Sequence, residues 1–345
     1  MIKVNRFKDL GYTTIFNSIT GFFARIPDRD TLEPFWSPHG PELMDISITN
    51  WCDKGCSFCY KSSTNRGKHM SLNDYKLIIN QAAEIGTFQV ALGGGNPNQH
   101  PDFIEILEYT KLKGIVPNYT SNGRGLSDEI IEATKRCCGA VAISAYPPYD
   151  ETEQSLQKLL SAGVKVNLHF ILDAYSIDTA ISWLKEPPEF LIGINAVIFL
   201  NYKPSGRKIF EDKLLRNSDR LDEFFRLATS SKRKLKVGFD ACCVSGVFAR
   251  TNASPVMVDA CDAARFSLYV SEDLKVYPCS FQSGLESGDT LNEDTSLVDI
   301  WTKSANMQSF RDYFSSARCG KSCSHMSTCK NGCPIFEQLV VCGHR

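Results

Sequence analysis

The sequence predicts an α/β protein whose main domain is a parallel sheet with helices outside it. Three observations predict this. Six strand-like runs alternate with six helix-like runs between Asp45 and Ser230, the repeat that buries parallel strands under helices. Three cysteines, Cys52, Cys56 and Cys59, follow the first of those strands, in Trp51-Cys-Asp-Lys-Gly-Cys-Ser-Phe-Cys-Tyr60. From about Lys236 the character changes, and that remainder holds nine of the 14 cysteines.

The elements follow in order. Residues 1–44 alternate apolar and polar positions, as in Tyr12-Thr-Thr-Ile-Phe and Gly21-Phe-Phe-Ala-Arg-Ile. They read as a hairpin or a pair of strands, too short for a separate folded substrate-binding domain. Ile46–Thr49 is the first strand of the main domain, 45–235. A helix over 71–85 opens on a Ser71 cap and closes near Gly86. Strand 89–92 leads to helix 102–113, which ends at Gly114. Strand 115–120 leads to helix 127–137, strand 140–145 to helix 151–162, and strand 164–172 to a helix around 178–185. Strand 194–200 and helix 219–230 complete six units, short of the eight of a full barrel. Residues 236–345 show few long periodic helices and read as a second, cysteine-stapled module.

Bulk properties narrow the function. Hydrophobic residues are 43% and charged residues 22%, an ordinary globular balance. The net charge of −1 argues against general nucleic-acid binding. The basic run Lys232-Arg-Lys-Leu-Lys236 reads as a solvated helix end. No run of 18 apolar residues occurs, so no membrane partner is expected. The N-terminus lacks the apolar core of a secretory signal, which places the chain in the cytoplasm. There, 14 cysteines point to metal clusters rather than to structural disulfides.

Three thiolates spaced C-x3-C-x2-C can hold three irons of a cubic four-iron cluster and leave the fourth iron open to a small molecule. Zinc also takes clustered cysteines, usually as two pairs. In a parallel barrel the site lies at the C-terminal strand ends, where each motif falls. Gly93-Gly-Gly-Asn-Pro97 follows strand two. Thr120-Ser-Asn-Gly123 follows strand three. Ser144-Ala-Tyr146 ends strand four, and Asn167 and His169 share a face of strand five. His169 is the one candidate catalyst, against the simpler reading of a satisfied core residue. His69, His100, His325 and His344 receive no role, and Cys137 and Cys138 read as buried thiols.

With Phe58 before the last cysteine and the glycine segment after strand two, the chain resembles the radical S-adenosylmethionine (SAM) enzymes from about Asp45 onward. The resemblance implies a partial (β/α)6 TIM-like barrel and a SAM-binding [4Fe-4S] cluster on Cys52, Cys56 and Cys59. It also implies SAM contacts from Phe58, Gly93, Gly94, Gly95, Ser121, Asn122 and Ser144. The family's Gly-Gly-Glu-Pro is Gly94-Gly-Asn-Pro97 here, so an amide stands where the family has a carboxylate.

The block Cys319-x3-Cys323-x5-Cys329-x3-Cys333-x8-Cys342, preceded by Cys261 and Cys279, resembles the SPASM extension of radical SAM enzymes. Its first spacing is x3 where the family has x2, and Leu274 stands where the family has a glycine. Carried over by position, Cys261, Cys279 and Cys333 would hold a nearer auxiliary [4Fe-4S] cluster, with Cys242 or Cys243 as fourth ligand. Cys319, Cys323, Cys329 and Cys342 would hold an outer one. Zinc on the same thiolates is the alternative.

The resemblance implies an enzyme that cleaves SAM reductively and abstracts hydrogen from a ribosomally made peptide or a protein, forming a cross-link, a thioether or an epimer. Ser280 replaces the aspartate of sulfatase maturases, so that type and a small-molecule dehydrogenase rank second. A non-enzymatic cluster sensor or carrier is the reading from another class. The implied partners are the peptide substrate, an electron donor such as flavodoxin or ferredoxin, and a separate peptide-recognition protein.

Overall fold

The computed structural model describes residues 2–29, 33–316, 318–319 and 323–342. Three strands come first, β1 (Ile2–Phe7), β2 (Tyr12–Asn17) and β3 (Phe23–Pro27), paired antiparallel in the order β1-β2-β3. The expected pair of strands is thus a small sheet of three.

The expected parallel strands are β4 (Leu43–Thr49), β5 (Gln89–Gly94), β6 (Val116–Ser121), β7 (Val141–Ala145), β8 (Val166–Leu172) and β9 (Ala196–Asn201). Between them run α1 (Leu72–Glu84), α2 (Phe103–Leu112), α3 (Asp128–Cys137), α4 (Asp150–Ser161) and α5 (Ile177–Lys185), and α6 (Asp219–Ala228) follows β9. Side chains of Ser71 and Ser127 accept from the backbone N–H of Asp74 and Ile130, so both helices start at true N-caps. Strand alternation divides the residues. Met44, Ile46 and Ile48 of β4 and Leu168, Phe170 and Leu172 of β8 are buried in the core shared with the helices. The intervening Asp45, Ser47, Asn167 and His169 therefore face the barrel lumen.

The sheet does not stop at 235. A seventh parallel strand, β10 (Val237–Phe239), pairs with β9. On the other edge β11 (Ser267–Val270) pairs parallel with β4, and β12 (Lys275–Tyr277) and β13 (Asp289–Thr290) extend it antiparallel. The six-unit count missed β10 because three residues give no periodicity to read.

The C-terminal segment also carries more regular structure than expected. It contains α7 (Val244–Arg250), α8 (Leu297–Lys303), α9 (Ala305–Ser315) and the single turn α10 (Met326–Cys329). Leu297, Ile300, Trp301, Met307, Phe310 and Phe314 bury into the barrel's own core. Arg311 stacks its guanidinium 3.6 Å from the Trp36 ring and donates to the carbonyls of Ala264 and Trp301 at 2.8 and 2.7 Å. Beyond α9 the apolar anchors are fewer: Phe336 and Leu339 pack with Tyr202 and Leu214, and Val341 reaches the main core. Among the described residues no helix is long and apolar enough to cross a membrane.

The β1–β3 sheet covers the N-terminal end of the barrel. Phe16 and Phe23 pack on Phe88, just before β5, with ring centroids 5.4 and 5.5 Å apart. Lys3 donates to the carbonyl of Gly114, before β6, and Lys165, before β8, donates to that of Thr20 at 3.0 Å. Arg25 pairs with Glu42, before β4, at 2.7 Å, with both side chains nearly buried. Removing one partner would strand a buried charge. Arg25→Met is therefore expected to cost about 3–5 kcal/mol in denaturant unfolding. The double variant Arg25→Met/Glu42→Leu should recover most of that loss.

Candidate functional site

Cys52, Cys56 and Cys59 lie on the loop leaving the C-terminal end of β4, each partly exposed. The loop is pinned on two sides. The N–H of Cys52 donates to the Thr64 carbonyl at 2.9 Å, and that of Asn50 to the Lys68 carbonyl at 2.7 Å. From the far side, Arg207 donates through its backbone to the Cys59 carbonyl at 3.0 Å and through Nη1 to the Cys56 carbonyl at 2.9 Å. The 203–210 loop gave no motif to read, so sequence reasoning missed this clamp.

The glycines divide their work. A Cβ on Gly94 would sit 2.0 Å from the Thr49 carbonyl oxygen, and one on Gly95 2.0 Å from that of Trp51. The N–H groups of Gly95 and Asn96 donate to those same two carbonyls at 2.8 and 3.0 Å. The close approach is thus to the cysteine loop's own backbone. Gly93 alone opens onto free space, with nothing within 4 Å of a Cβ built there.

Asn96 is fully buried and satisfied at both ends of its amide. Its Nδ2 donates to Gln99 Oε1 and the Arg124 carbonyl, and its Oδ1 accepts from Ser121 Oγ and the Asn122 N–H. The amide therefore ties the β5 loop to the β6 loop. Ser121 is likewise buried, bonded to Asn98 at 2.6 Å, so its hydroxyl is spent inside the protein. Asn122 points its amide at Cys52 Sγ, 3.6 Å away. Ser144 is half-buried and bonds Tyr146, whose ring lies 5.4 Å from that of Phe58. At the mouth, Glu151 bridges Lys54 and Arg124, and those two cations hold its carboxyl down at about 2.

His169 faces the lumen. Burial pushes its imidazole down to about 4, against a smaller opposing pull from Asp240, so it is neutral at pH 7. His100 is a satisfied core residue bonded to the Met70 carbonyl at 2.9 Å. His344 lies outside the described residues.

The other thiols converge in two sets. Cys242 and Cys333 share a hydrogen bond, and Cys261 and Cys279 lie close enough to Cys242 to feel its charge. Cys243 is turned away, 3.9 Å from the Phe199 carbonyl. In the second set Cys329 adjoins Cys319, Cys323 and Cys342. Burial pushes the Cys279 and Cys329 thiols up to about 12. A positively charged metal group would reverse that.

The backbone between the sets makes the interleaving possible. Lys330, Asn331 and Gly332 all have positive φ, +54°, +69° and +77°. This left-handed run reverses the chain between Cys329 and Cys333, so that neighbouring cysteines reach different sets. Asn331 fixes the turn by donating to the carbonyls of Tyr313 and Ser316 at 2.9 and 2.7 Å. Leu274, at the position expected to be glycine, also has a positive φ of +58°. The turn geometry is kept there without the residue that favours it.

Residues 46–160 match the model of the radical SAM superfamily. The mycofactocin maturase MftC of Mycobacterium tuberculosis is 24% identical over 330 residues, spanning 85% of this chain and 78% of that one. The PqqA peptide cyclase of Gluconobacter oxydans is 23% identical over 292 residues, spanning 79% and 80%. Streptococcus suis SuiB, solved bound to its precursor peptide SuiA, superposes with a TM-score of 0.69 at 18% identity, covering 86% of this chain and 72% of that one. At that identity the superposition speaks for the fold.

The glycine geometry sets an order among three substitutions. Gly94→Ala and Gly95→Ala push a methyl into backbone and are expected to lower the thermal unfolding midpoint by several degrees. Gly93→Ala should leave it within about a degree. Calorimetry on the three variants checks the order.

Proposed function

The chain belongs to the radical SAM superfamily, and from that premise we propose that it is a peptide maturase with a C-terminal SPASM module. The observation that carries the reading is the grouping of the thiols: three at the strand ends beside the open Gly93 face, and two sets of four beyond. Relatives named a mycofactocin maturase and a PqqA peptide cyclase, spanning most of both chains, support a peptide substrate.

In this reading Cys52, Cys56 and Cys59 hold a [4Fe-4S] cluster. Cys242, Cys261, Cys279 and Cys333 hold a nearer auxiliary cluster, and Cys319, Cys323, Cys329 and Cys342 an outer one. The donor chemistry fits: Cys319, Cys323, Cys329 and Cys342 line one cavity, Cys242 and Cys333 share a hydrogen bond, and the buried cation beside Cys242, Lys203, is already paired with Asp240. The cluster that Cys52, Cys56 and Cys59 would hold would supply the electron for reductive cleavage of SAM, the chemistry that abstracts hydrogen from a substrate carbon.

The protein's own part is to orient and to enclose. Gly93 leaves the room at the end of β5 that SAM needs. Asn122 fixes the Cys52 side of the loop, and Phe58 and Tyr146 form an aromatic wall beside it. Of the SAM contacts implied by the resemblance, Gly93, Asn122, Ser144 and Phe58 keep that role, while Gly94, Gly95 and Ser121 act by shaping the loops. The β1–β3 sheet blocks the far end of the lumen, so water and substrate share one mouth. A flavodoxin or ferredoxin supplies electrons, a separate protein assists peptide recognition, and the reducing cytoplasm keeps the cysteines available.

Iron analysis after anaerobic reconstitution tests the reading. About 12 irons per chain are expected. Replacing Cys52, Cys56 and Cys59 by Ala should remove about four of them and all 5′-deoxyadenosine formation. Cys333→Ala should remove the nearer set's iron, Cys329→Ala the outer set's, and Cys242→Ala but not Cys243→Ala should lower the total. Limited proteolysis of Cys329→Ala should loosen 316–342 while α8 and α9 stay protected by their apolar core. About four irons with zinc present would sink the auxiliary-cluster assignment.

A further inference from the structure

The barrel lumen holds a carboxylate with no task in the chemistry above. Asp45 sits on the lumen face of β4, between Met44 and Ile46, which are buried under the helices. Register places it beside Ala91 of β5 and Tyr269 of β11. Tyr60, Tyr269 and Cys279 are close enough to feel its charge. Among the described residues it has no hydrogen-bond or ion-pair partner. Protein surrounds it, and burial pushes its carboxyl up to about 6, yet part of its surface stays accessible. Strand alternation puts that accessible surface on the lumen side of β4. Small residues on the same face, Ser47, Ala91 and the open Gly93, leave the room.

Neighbouring charges are matched. Glu272 accepts from Lys61 at 3.2 Å and from Ser47 at 2.7 Å, and Asp240 pairs with Lys203. Against that background a largely enclosed carboxylate with no protein partner is costly, and a purely structural position would be filled as well by an amide. Such a cost is kept where a ligand supplies the missing partner. The surroundings say which sign the partner has. Asp45 itself is negative when ionised, and Tyr60 packs on Phe281 with ring centroids 4.7 Å apart to form an aromatic wall. A cation is stabilised by both, through charge and through the ring faces. A carboxylate is repelled, and an apolar side chain leaves Asp45 unpaired.

We propose that Asp45 selects the substrate side chain by pairing, inside the barrel, with the cationic head of a lysine or arginine of the peptide. The inference rests on reading the chain as a peptide maturase.

The test uses end-blocked peptides Gly-Gly-X-Gly-Gly with X as lysine, arginine, norleucine or glutamate. Their binding to the anaerobically reconstituted protein with SAM is followed by saturation-transfer NMR at pH 7.5. The lysine and arginine peptides should bind about tenfold more tightly than the norleucine peptide. Asp45→Asn should erase that preference. Equal binding by the wild type, or a preference that survives in Asp45→Asn, overturns the proposal.

A stability measurement separates this from a structural role. At pH 7.5, above its pKa of about 6, Asp45 is ionised in the fold against the effect of burial. Asp45→Asn should therefore unfold at a higher temperature than the wild type at that pH. A lower unfolding temperature would make Asp45 a packing residue and overturn the assignment. Asp45→Ser carries the same binding expectation if the amide variant fails to accumulate. The maturase reading is tested separately, by 5′-deoxyadenosine formation in the wild type without peptide. Its absence would sink that reading whatever the peptides show.

Discussion

The site depends on one backbone contact: the end of β4 and the end of β5 run together beyond the sheet without side chains between them. Thr49 and Trp51 present their carbonyls to the N–H groups of Gly95 and Asn96 at 2.8 and 3.0 Å, over a gap that a Cβ on either glycine would close. Cys52 leaves from the next residue, so the contact sets where the first thiol stands. Asn96 leaves from the other side and carries the β6 loop with it, through Ser121 and Asn122. Asn122 then returns to Cys52. Three loops from three strands are thus closed into one ring. The amide at position 96 suits this ring because it donates at one end and accepts at the other, which a carboxylate cannot do while ionised.

What the sequence made legible follows from which signals are local. The six strand–helix units were readable because period-two and period-3.6 patterns span enough residues to count. The cysteine motif and the glycine segment were readable because spacing is a one-dimensional property. Three-residue β10 and the parallel attachment of β11 to β4 were not, since no local pattern encodes a strand so short or a partner 220-odd residues away. The C-terminal helices were underread because Leu297, Ile300 and Trp301 bury against the barrel rather than against each other, so their apolar count looks too small for a core of its own. The roles given to Gly94, Gly95 and Ser121 needed three dimensions. Sequence shows that a glycine permits close approach but not what approaches.

The charges of the lumen were the least legible part. Lys61 with Glu272 and Lys203 with Asp240 join residues far apart in the chain. Asp45 was visible only as a polar residue before an apolar strand. Its meaning comes from the absence of a partner among the described residues, a fact that exists only once the neighbours are placed. Pairing these other charges removes them as free recognition groups, which is the ground on which Asp45 is proposed to select. The same logic makes the neutral His169 a weak anchor for a charged substrate.

The two ends of the barrel are closed by different physics, and the difference suits an enzyme with one entrance. The N-terminal end is sealed by packing: Phe16 and Phe23 on Phe88, and the buried pair of Arg25 with Glu42. Such a seal is stiff, because close-packed rings and a desolvated ion pair tolerate little displacement. The C-terminal end is ringed by loops, with the Glu151 bridge to Lys54 and Arg124 at its rim, where half-exposed ion pairs exchange readily with water and add little stability. A peptide entering there can displace the rim pairs cheaply, while the floor beneath Asp45 stays fixed. The reactive face is thereby open to a long, flexible substrate, and below it Asp45, unpaired among the described residues, is the group proposed to grip a side chain of that substrate.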